Sequence, residues 1–188
     1  MAKILVTGTP GSGKSTVLEG VKIIKIISFA DEMLKISSAN GVIDRDRLRY
    51  MTYEEIALIR KSVIENTINR MDEDLLIDTH LTVKKKTRYV PGFSRSDLDM
   101  MKDLKGIIYI DAHANDIMFR RLTDKTRSRE DEPEEEIHEQ RRINISIASY
   151  YAAHLNLPLY IVKNRQNQVE IAIKDLEDAI KEITGKGI

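Results

Sequence analysis

Cysteine is absent from this 188-residue chain. That excludes a disulfide scaffold, a thiolate zinc site and a thiol nucleophile. It fits a reducing compartment, and a cytoplasmic protein is the expectation. Neither sign of charge is in excess: 30 Lys+Arg stand against 30 Asp+Glu, a formal net charge of zero. General nucleic-acid binders and proteins of anionic membranes carry a basic surplus, so neither class is expected. No apolar run approaches the ~20 residues that a membrane span needs. The N-terminal MAKILVTGTP holds an apolar stretch too short for a signal peptide. Linkers, repeats and low-complexity tracts are missing as well. At ~150 residues per domain the length suits one domain, residues 1–188, and a hydrophobic content of 41% is enough for a core.

Five short apolar runs are present: Lys3–Thr7, Ile23–Ser28, Leu75–Asp78, Gly106–Asp111 and Leu157–Val162. Each is continuous rather than alternating, as in strands of a sheet covered on both faces. Between them lie segments with helical spacing. Tyr53–Met71 carries Ile56, Ile59, Val63, Ile64 and Ile68, and Ala112–Asp124, Pro133–Leu155 and Gln166–Ile183 read the same way. Strands alternating with helices predict an α/β fold with a parallel sheet.

Right after the first run comes Gly8-Thr9-Pro10-Gly11-Ser12-Gly13-Lys14-Ser15, the pattern of a phosphate-binding loop. Its glycines let backbone N–H groups turn toward phosphate oxygens, and a helix opening at Lys14-Ser15-Thr16 adds a fixed positive pole. Lys14 can reach the β and γ phosphates, and the Ser15 hydroxyl can hold Mg²⁺. Asp78 closes the third run beside this loop, where a carboxylate can join the Mg²⁺ shell, directly or through water, or simply end the strand.

Six arginines, at 120, 121, 127, 129, 141 and 142, flank the aperiodic stretch Thr123–Glu132. Phosphoryl transfer needs cations around the transferred group. The bland alternative is a solvated face of Glu–Arg pairs, each worth little. Arg127 and Arg129 can both turn inward only if Thr123–Glu132 is an irregular loop, since helix geometry would aim them ~200° apart. A second basic cluster comprises Asp44–Arg49 and Lys84-Lys85-Lys86 after Asp78-Thr79-His80, and it fits a second phosphate. None of the four histidines has metal-ligand spacing.

GTPGSGKST at Gly8–Thr16, DRDRLR at Asp44–Arg49, Asp78-Thr79-His80 with Tyr89-Val90-Pro91-Gly92, and RRLTDKTRSR at Arg120–Arg129 together resemble the archaeal-type adenylate kinases. The resemblance implies reversible Mg²⁺-dependent conversion of ATP plus AMP to two ADP. It implies a P-loop three-layer sandwich with a five-stranded parallel sheet, helices on both faces and a short lid, and often a homotrimer. The AMP-binding segment would span about residues 29–71 and the lid about 121–137.

Carried over, Gly8, Thr9, Pro10, Gly11, Ser12, Gly13, Lys14, Ser15 and Thr16 bind ATP. Arg120 or Arg121 lies over its adenine, and Arg120 is assigned to ATP binding. Lys14, Arg121, Arg127 and Arg129 form the catalytic set. Arg49, Asp78, Thr79, His80 and Lys84 serve AMP, and Ser15 and Asp78 serve Mg²⁺. In two places the chain departs from its relatives. The helix after the phosphate loop is barely two turns long, and a later helix carries Asn144 or Ile145 where relatives have an arginine, with Arg141 and Arg142 a turn earlier. The alternatives are a P-loop kinase for another nucleotide or small phosphorylated acceptor, and an ATP-binding regulatory ATPase. ADP disproportionation separates the first reading from the last.

Overall fold

The computed structural model describes residues 1–38, 48, 51–85, 88–123 and 132–186. Strand β1 (Lys3–Gly8) leads through the glycine-rich loop into α1 (Lys14–Gly20), then β2 (Lys25–Ser28) and α2 (Phe29–Ser38). Helix α3 (Tyr53–Asn66) and a 3₁₀ turn, Ile68–Arg70, precede β3 (Leu75–Asp78). A hairpin of β4 (Thr82–Lys85) and β5 (Arg88–Pro91) follows, then α4 (Arg95–Met100), β6 (Leu104–Asp111) and α5 (Ala114–Thr123). The chain continues through α6 (Glu134–Leu155), β7 (Leu159–Lys163) and α7 (Val169–Thr184).

The five apolar runs form one parallel sheet, in the order β2-β3-β1-β6-β7. Alternation along each strand feeds two cores. Leu5, Ile77, Ile107 and Tyr109 point to one face and meet Ile59, Val63 and Ile64 of α3 and Ala148 and Tyr151 of α6. Ile4, Val6, Leu76, Ile108 and Ile110 point to the other and meet Val17 and Leu18 of α1 and Ala172, Leu176 and Ile180 of α7. Continuous apolarity in the sequence is thus a period of two, buried on both sides. The result is the three-layer sandwich expected, with every sheet strand ending at the same edge.

Local chemistry sets the element ends. Thr52 starts α3 with a capping box: its hydroxyl accepts from Glu55 N, and Glu55 accepts from Thr52 N at 2.7 Å. The helix predicted over Tyr53–Met71 stops at Asn66, because Thr67 leaves helical geometry at φ −116° and a 3₁₀ turn follows. Helix α1 has seven residues, the short crossover read from the sequence. It still spans the gap because Val17 and Leu18 alone anchor it to the sheet, while Ile173 of α7 packs into the notch at Gly20.

The hairpin and α4 carry no apolar run long enough to announce them. The hairpin is fastened back on itself at Gly92, whose N–H donates to Leu81 O at 2.7 Å. A Cβ at Gly92 would stand 2.0 Å from the His80 carbonyl oxygen, and that neighbour is backbone. The glycine of Tyr89–Gly92 therefore lets the Asp78–His80 turn lie against the hairpin. Gly92→Ala should push this turn away from the sheet edge and cost about 1–3 kcal/mol. Chemical denaturation measures it, and an unchanged midpoint would mean that the turn is not held here.

Candidate active site

The glycine-rich loop turns its N–H groups inward, so its carbonyls turn outward into the protein. Gly11 and Gly13 take left-handed conformations, φ +92° and +82°, as such a cradle requires. Three of these carbonyls are met as follows. Ser12 N donates to Thr9 O at 2.9 Å. Pro10 O accepts from Arg121 Nε at 3.0 Å and Nη2 at 2.6 Å. Ser12 O accepts from Arg120 Nη1 at 2.9 Å and from Asn164 Nδ2 at 2.7 Å. Arg120 Nη2 also reaches Asn164 O at 3.2 Å, and burial draws its pKa below the usual arginine value. Both arginines of the RRL motif thus brace the loop from behind. The Ser12 hydroxyl is buried with no partner among the described residues.

In front of the loop, β1 and β3 lie side by side, Val6 opposite Asp78. The Lys14 ammonium, on the first turn of α1, pairs with the Asp78 carboxylate at the end of β3. Ser15 and Thr16 stand exposed beside it. These groups open onto one cavity of about 1120 Å³. Residues Thr9–Thr16 and Arg120 line one wall, and Asp78, Thr79 and His80 lie between them and a second wall. That second wall is built by Phe29, Met33, Leu48, Met51, Ile56 and Arg60, with Val83, Lys85 and Arg88 from the hairpin. Gly8 lies just behind the loop as the last residue of β1.

The hairpin resolves which lysines face the cavity. Alternation along β4 turns Val83 and Lys85 toward it, and Thr82 and Lys84 away. Lys84 Nζ is bound to Glu132 Oε1 at 2.7 Å and Glu136 Oε2 at 2.6 Å. Glu132 also accepts from Arg121 Nη1, so it bridges the hairpin to the brace of the phosphate loop. Sequence reading places Lys84 and Lys85 in one basic cluster and the family resemblance assigns Lys84 to AMP; Arg88 is not named by either. The period-two signal was there, but the hairpin carrying it was not recognised. Arg49, Arg127 and Arg129, and the lid loop Thr123–Glu132 except for its two ends, lie outside the described residues.

A polar web ties the loop to the hairpin. The Thr9 hydroxyl shares a 2.7 Å hydrogen bond with Tyr109 OH, and Asn144 Nδ2 donates to Thr9 Oγ1 at 3.3 Å. Thr82 Oγ1 donates to Asn144 Oδ1 at 2.6 Å. Burial pushes the Tyr109 hydroxyl up to about 12, so it stays neutral. Asn144 therefore carries the link. Arg141 grips Asp111 with Nε at 3.0 Å and Nη2 at 2.9 Å, and Arg142 is exposed. Neither lines the cavity among the described residues.

Two oxygens fit a hard divalent cation. The Ser15 hydroxyl and the Asp78 carboxylate face the same space, and among the described residues no cluster of three acidic or histidine side chains offers a protein-only metal site. Mg²⁺ suits this donor set, since it keeps most of its shell as water and phosphate oxygen.

Glu132 sets a pH-dependent part of the stability. Burial pushes its carboxyl pKa up, but Lys84 and Arg121 outweigh that and hold it below the ordinary value of 4.5. A depressed folded-state value contributes stability that is complete above the unfolded value and lost as pH falls through the folded one. Glu132→Gln should therefore cost on the order of 1 kcal/mol at pH 7, and the gap to wild type should close progressively below pH ~4.5. Urea midpoints from pH 7 to 3 check this, and a gap that stays constant would remove the bridge from the account.

The family model described as AAA domain matches residues 7–138. The solved structure of shikimate kinase from Acinetobacter baumannii in complex with shikimate superposes with a TM-score of 0.58 over 97% of this chain and 94% of that one, at 14% identity, which shows the shared fold. The adenylate kinase of Methanothermobacter thermautotrophicus is 30% identical over 96% of this chain and 100% of its own length. That of Methanocaldococcus jannaschii is 30% identical over 95% and 97%. With the phosphate loop, the Asp78–His80 turn and the hairpin all falling inside these full-length matches, the chain belongs to the adenylate kinase family.

Proposed function

We propose that this protein catalyses reversible, Mg²⁺-dependent phosphoryl transfer from ATP to AMP, giving two ADP. One observation carries the reading: a single cavity of about 1120 Å³ has a phosphate cradle on one wall and a half-apolar, half-basic lobe on the other. At about 1120 Å³ it is somewhat larger than the roughly 300–1,000 Å³ of an ordinary small-ligand site, and this reading places both nucleotides in it. The basic residues of the second wall, Lys85 and Arg88, suit an acceptor that carries phosphate.

In this reading Gly8–Thr16 hold the phosphates of ATP, and Asp78, Thr79, His80 and Lys85 flank the acceptor. A phosphate oxygen of AMP bonds to the γ phosphorus while its bond to the β–γ bridging oxygen breaks, and ADP leaves. A phosphate is already a competent nucleophile, so positioning and charge stabilisation do the work and no strong general base is needed. Lys14 leaves Asp78 for the β and γ oxygens as they arrive. Ser15 and Asp78 would hold Mg²⁺, which when bound neutralises charge shared by the β and γ phosphates.

Arg49 on the acceptor side, and Arg127 and Arg129 closing over the transferred group, complete the proposal, as does Arg121 through its grip on Pro10. So do a single domain over 1–188 with an AMP segment at about 29–71 and a lid at about 121–137, a homotrimer, and a cytoplasmic setting. The family resemblance and the lack of cysteine support these last points.

ADP with Mg²⁺ as the only substrate should yield ATP and AMP in equal amounts. Lys14→Ala should lower kcat/KM by ~10²–10³-fold or more while the fold persists, because the ammonium acts where charge builds in the transition state. Coupled assays and circular dichroism check both. Release of inorganic phosphate from ATP, with no AMP formed from ADP, would overturn the reading in favour of a regulatory ATPase.

A further inference from the structure

Glu136, Gln140 and Asn144 stand four residues apart on α6, so they share one face of the helix. Glu132, two residues ahead of the first turn, extends the row. The row lies between the two walls of the cavity. On one side is the hairpin, a two-stranded sheet separate from the parallel one. Its cavity-facing Val83 and Lys85 alternate with Thr82 and Lys84, so whatever holds the second pair places the first. On the other side is the phosphate loop.

Each member of the row holds one wall or both. Glu136 Oε2 accepts from Lys84 Nζ at 2.6 Å. Gln140 Oε1 accepts at 2.7 Å from Arg121 Nη2, the nitrogen that also holds Pro10 O. The other two members are bridges. Glu132 takes Lys84 on Oε1 at 2.7 Å and Arg121 on Oε2. Asn144 accepts from the Thr82 hydroxyl at 2.6 Å and donates to Thr9 Oγ1 of the loop at 3.3 Å. A carboxylate and a carboxamide are short planar groups, so neither bridge can stretch. Gln140 and Asn144 are buried, and Ala148 and Tyr151 fix the same helix to the core. The separation of the two walls is therefore set by one rigid element, not by the long chain path between them.

Phosphoryl transfer is sensitive to that separation. The reacting atoms must come within ~3–3.5 Å, and a misplacement of ~1 Å can cost ~10²-fold in rate. We infer that Glu132 and Asn144 are positioning residues that align the acceptor wall with the phosphate loop. Neither lines the cavity. This rests on the proposed reaction of ATP with AMP and adds how its two halves are held in line.

The test breaks each bridge away from the nucleotides. Glu132→Gln sets an amide N–H against one of the two cations. Lys84 then keeps Glu136, and Arg121 keeps Pro10 and Gln140. Thr82→Val keeps the side-chain shape and removes the donor to Asn144. Two activities are measured for each variant. One is transfer from ATP to AMP. The other is release of inorganic phosphate from ATP without AMP, which needs the phosphate loop and not the acceptor wall. Each variant should lower kcat for transfer by ~10–100-fold, with KM for both nucleotides and the rate of phosphate release close to wild type. A purely structural role would lower transfer and phosphate release in step, and that result would overturn the inference. Unchanged transfer in Glu132→Gln, or a defect confined to KM for AMP, would overturn it as well. If Thr82→Val does not fold, Glu132→Gln decides by itself. A wild-type protein that forms no ADP from ATP and AMP would defeat the adenylate kinase reading, a result distinct from a variant that transfers as well as wild type.

Discussion

Everything at this site depends on a backbone that must point its donors one way and its acceptors the other. A loop that aims N–H groups at an anion sends its carbonyls into the protein, where each unmet acceptor would be costly. Here the carbonyls of Thr9, Pro10 and Ser12 are met by Ser12, Arg121, Arg120 and Asn164. The three side-chain donors come from α5 and from the turn after β7, elements far apart in sequence that the parallel sheet brings to one edge. The cradle is thus a tertiary product, and its shape is set before any ligand arrives. Arginine suits the task, since one planar fork can serve Pro10 twice, or Ser12 and Asn164 together.

The same economy explains the short α1. Two buried residues, Val17 and Leu18, are a weak anchor for a helix whose first turn carries Lys14. The brace behind the loop and the web in front of it supply what the helix lacks. Thr9, Tyr109, Asn144 and Thr82 run from the loop across β6 and α6 to the hairpin through hydrogen bonds between neutral groups. Such a chain is indifferent to pH below the Tyr109 value of about 12. On α6, Asn144 holds this scaffold and Arg141 is committed to Asp111.

How much of this was legible follows from what each signal encodes. The strands were, because burial on both faces leaves an uninterrupted apolar run; Leu75–Asp78 was placed at its observed ends. The phosphate loop was, because its glycines and lysine are adjacent in sequence. The hairpin was not, because Thr82–Pro91 carries no apolar run and is held to the rest of the molecule by polar contacts from distant residues, Asn144, Glu132 and Glu136. Lys84 and Lys85 were legible as one basic cluster, but which of them faces the cavity was not, since only a known strand tells alternate residues apart. The family resemblance assigns Arg120 and Arg121 to the nucleotide, and the structure adds their hold on the loop. Their partners, Ser12 and Pro10, lie more than a hundred residues away, and no local pattern can reveal that. Arg60 gave no signal at all: in sequence it is one more cation on an amphipathic helix.

The charge balance of the chain has a local counterpart at the site. Lys14 is paired with Asp78, Lys84 with Glu132 and Glu136, Arg121 with Glu132, and Arg60 with Asp97. A cavity lined by bare cations would repel itself and destabilise the fold. Pairing removes that cost but creates another, since a phosphate must then compete with a carboxylate already in place. The competition is uneven. Asp97 is buried and fixed by its capping box, so Arg60 cannot leave it. Asp78 is a quarter exposed and has an alternative partner in a hard cation, so Lys14 can leave. The acids thereby sort the cations into those that hold the shape of the site and those released to the substrate, and a single substitution of carboxylate by amide would move a cation from one group to the other.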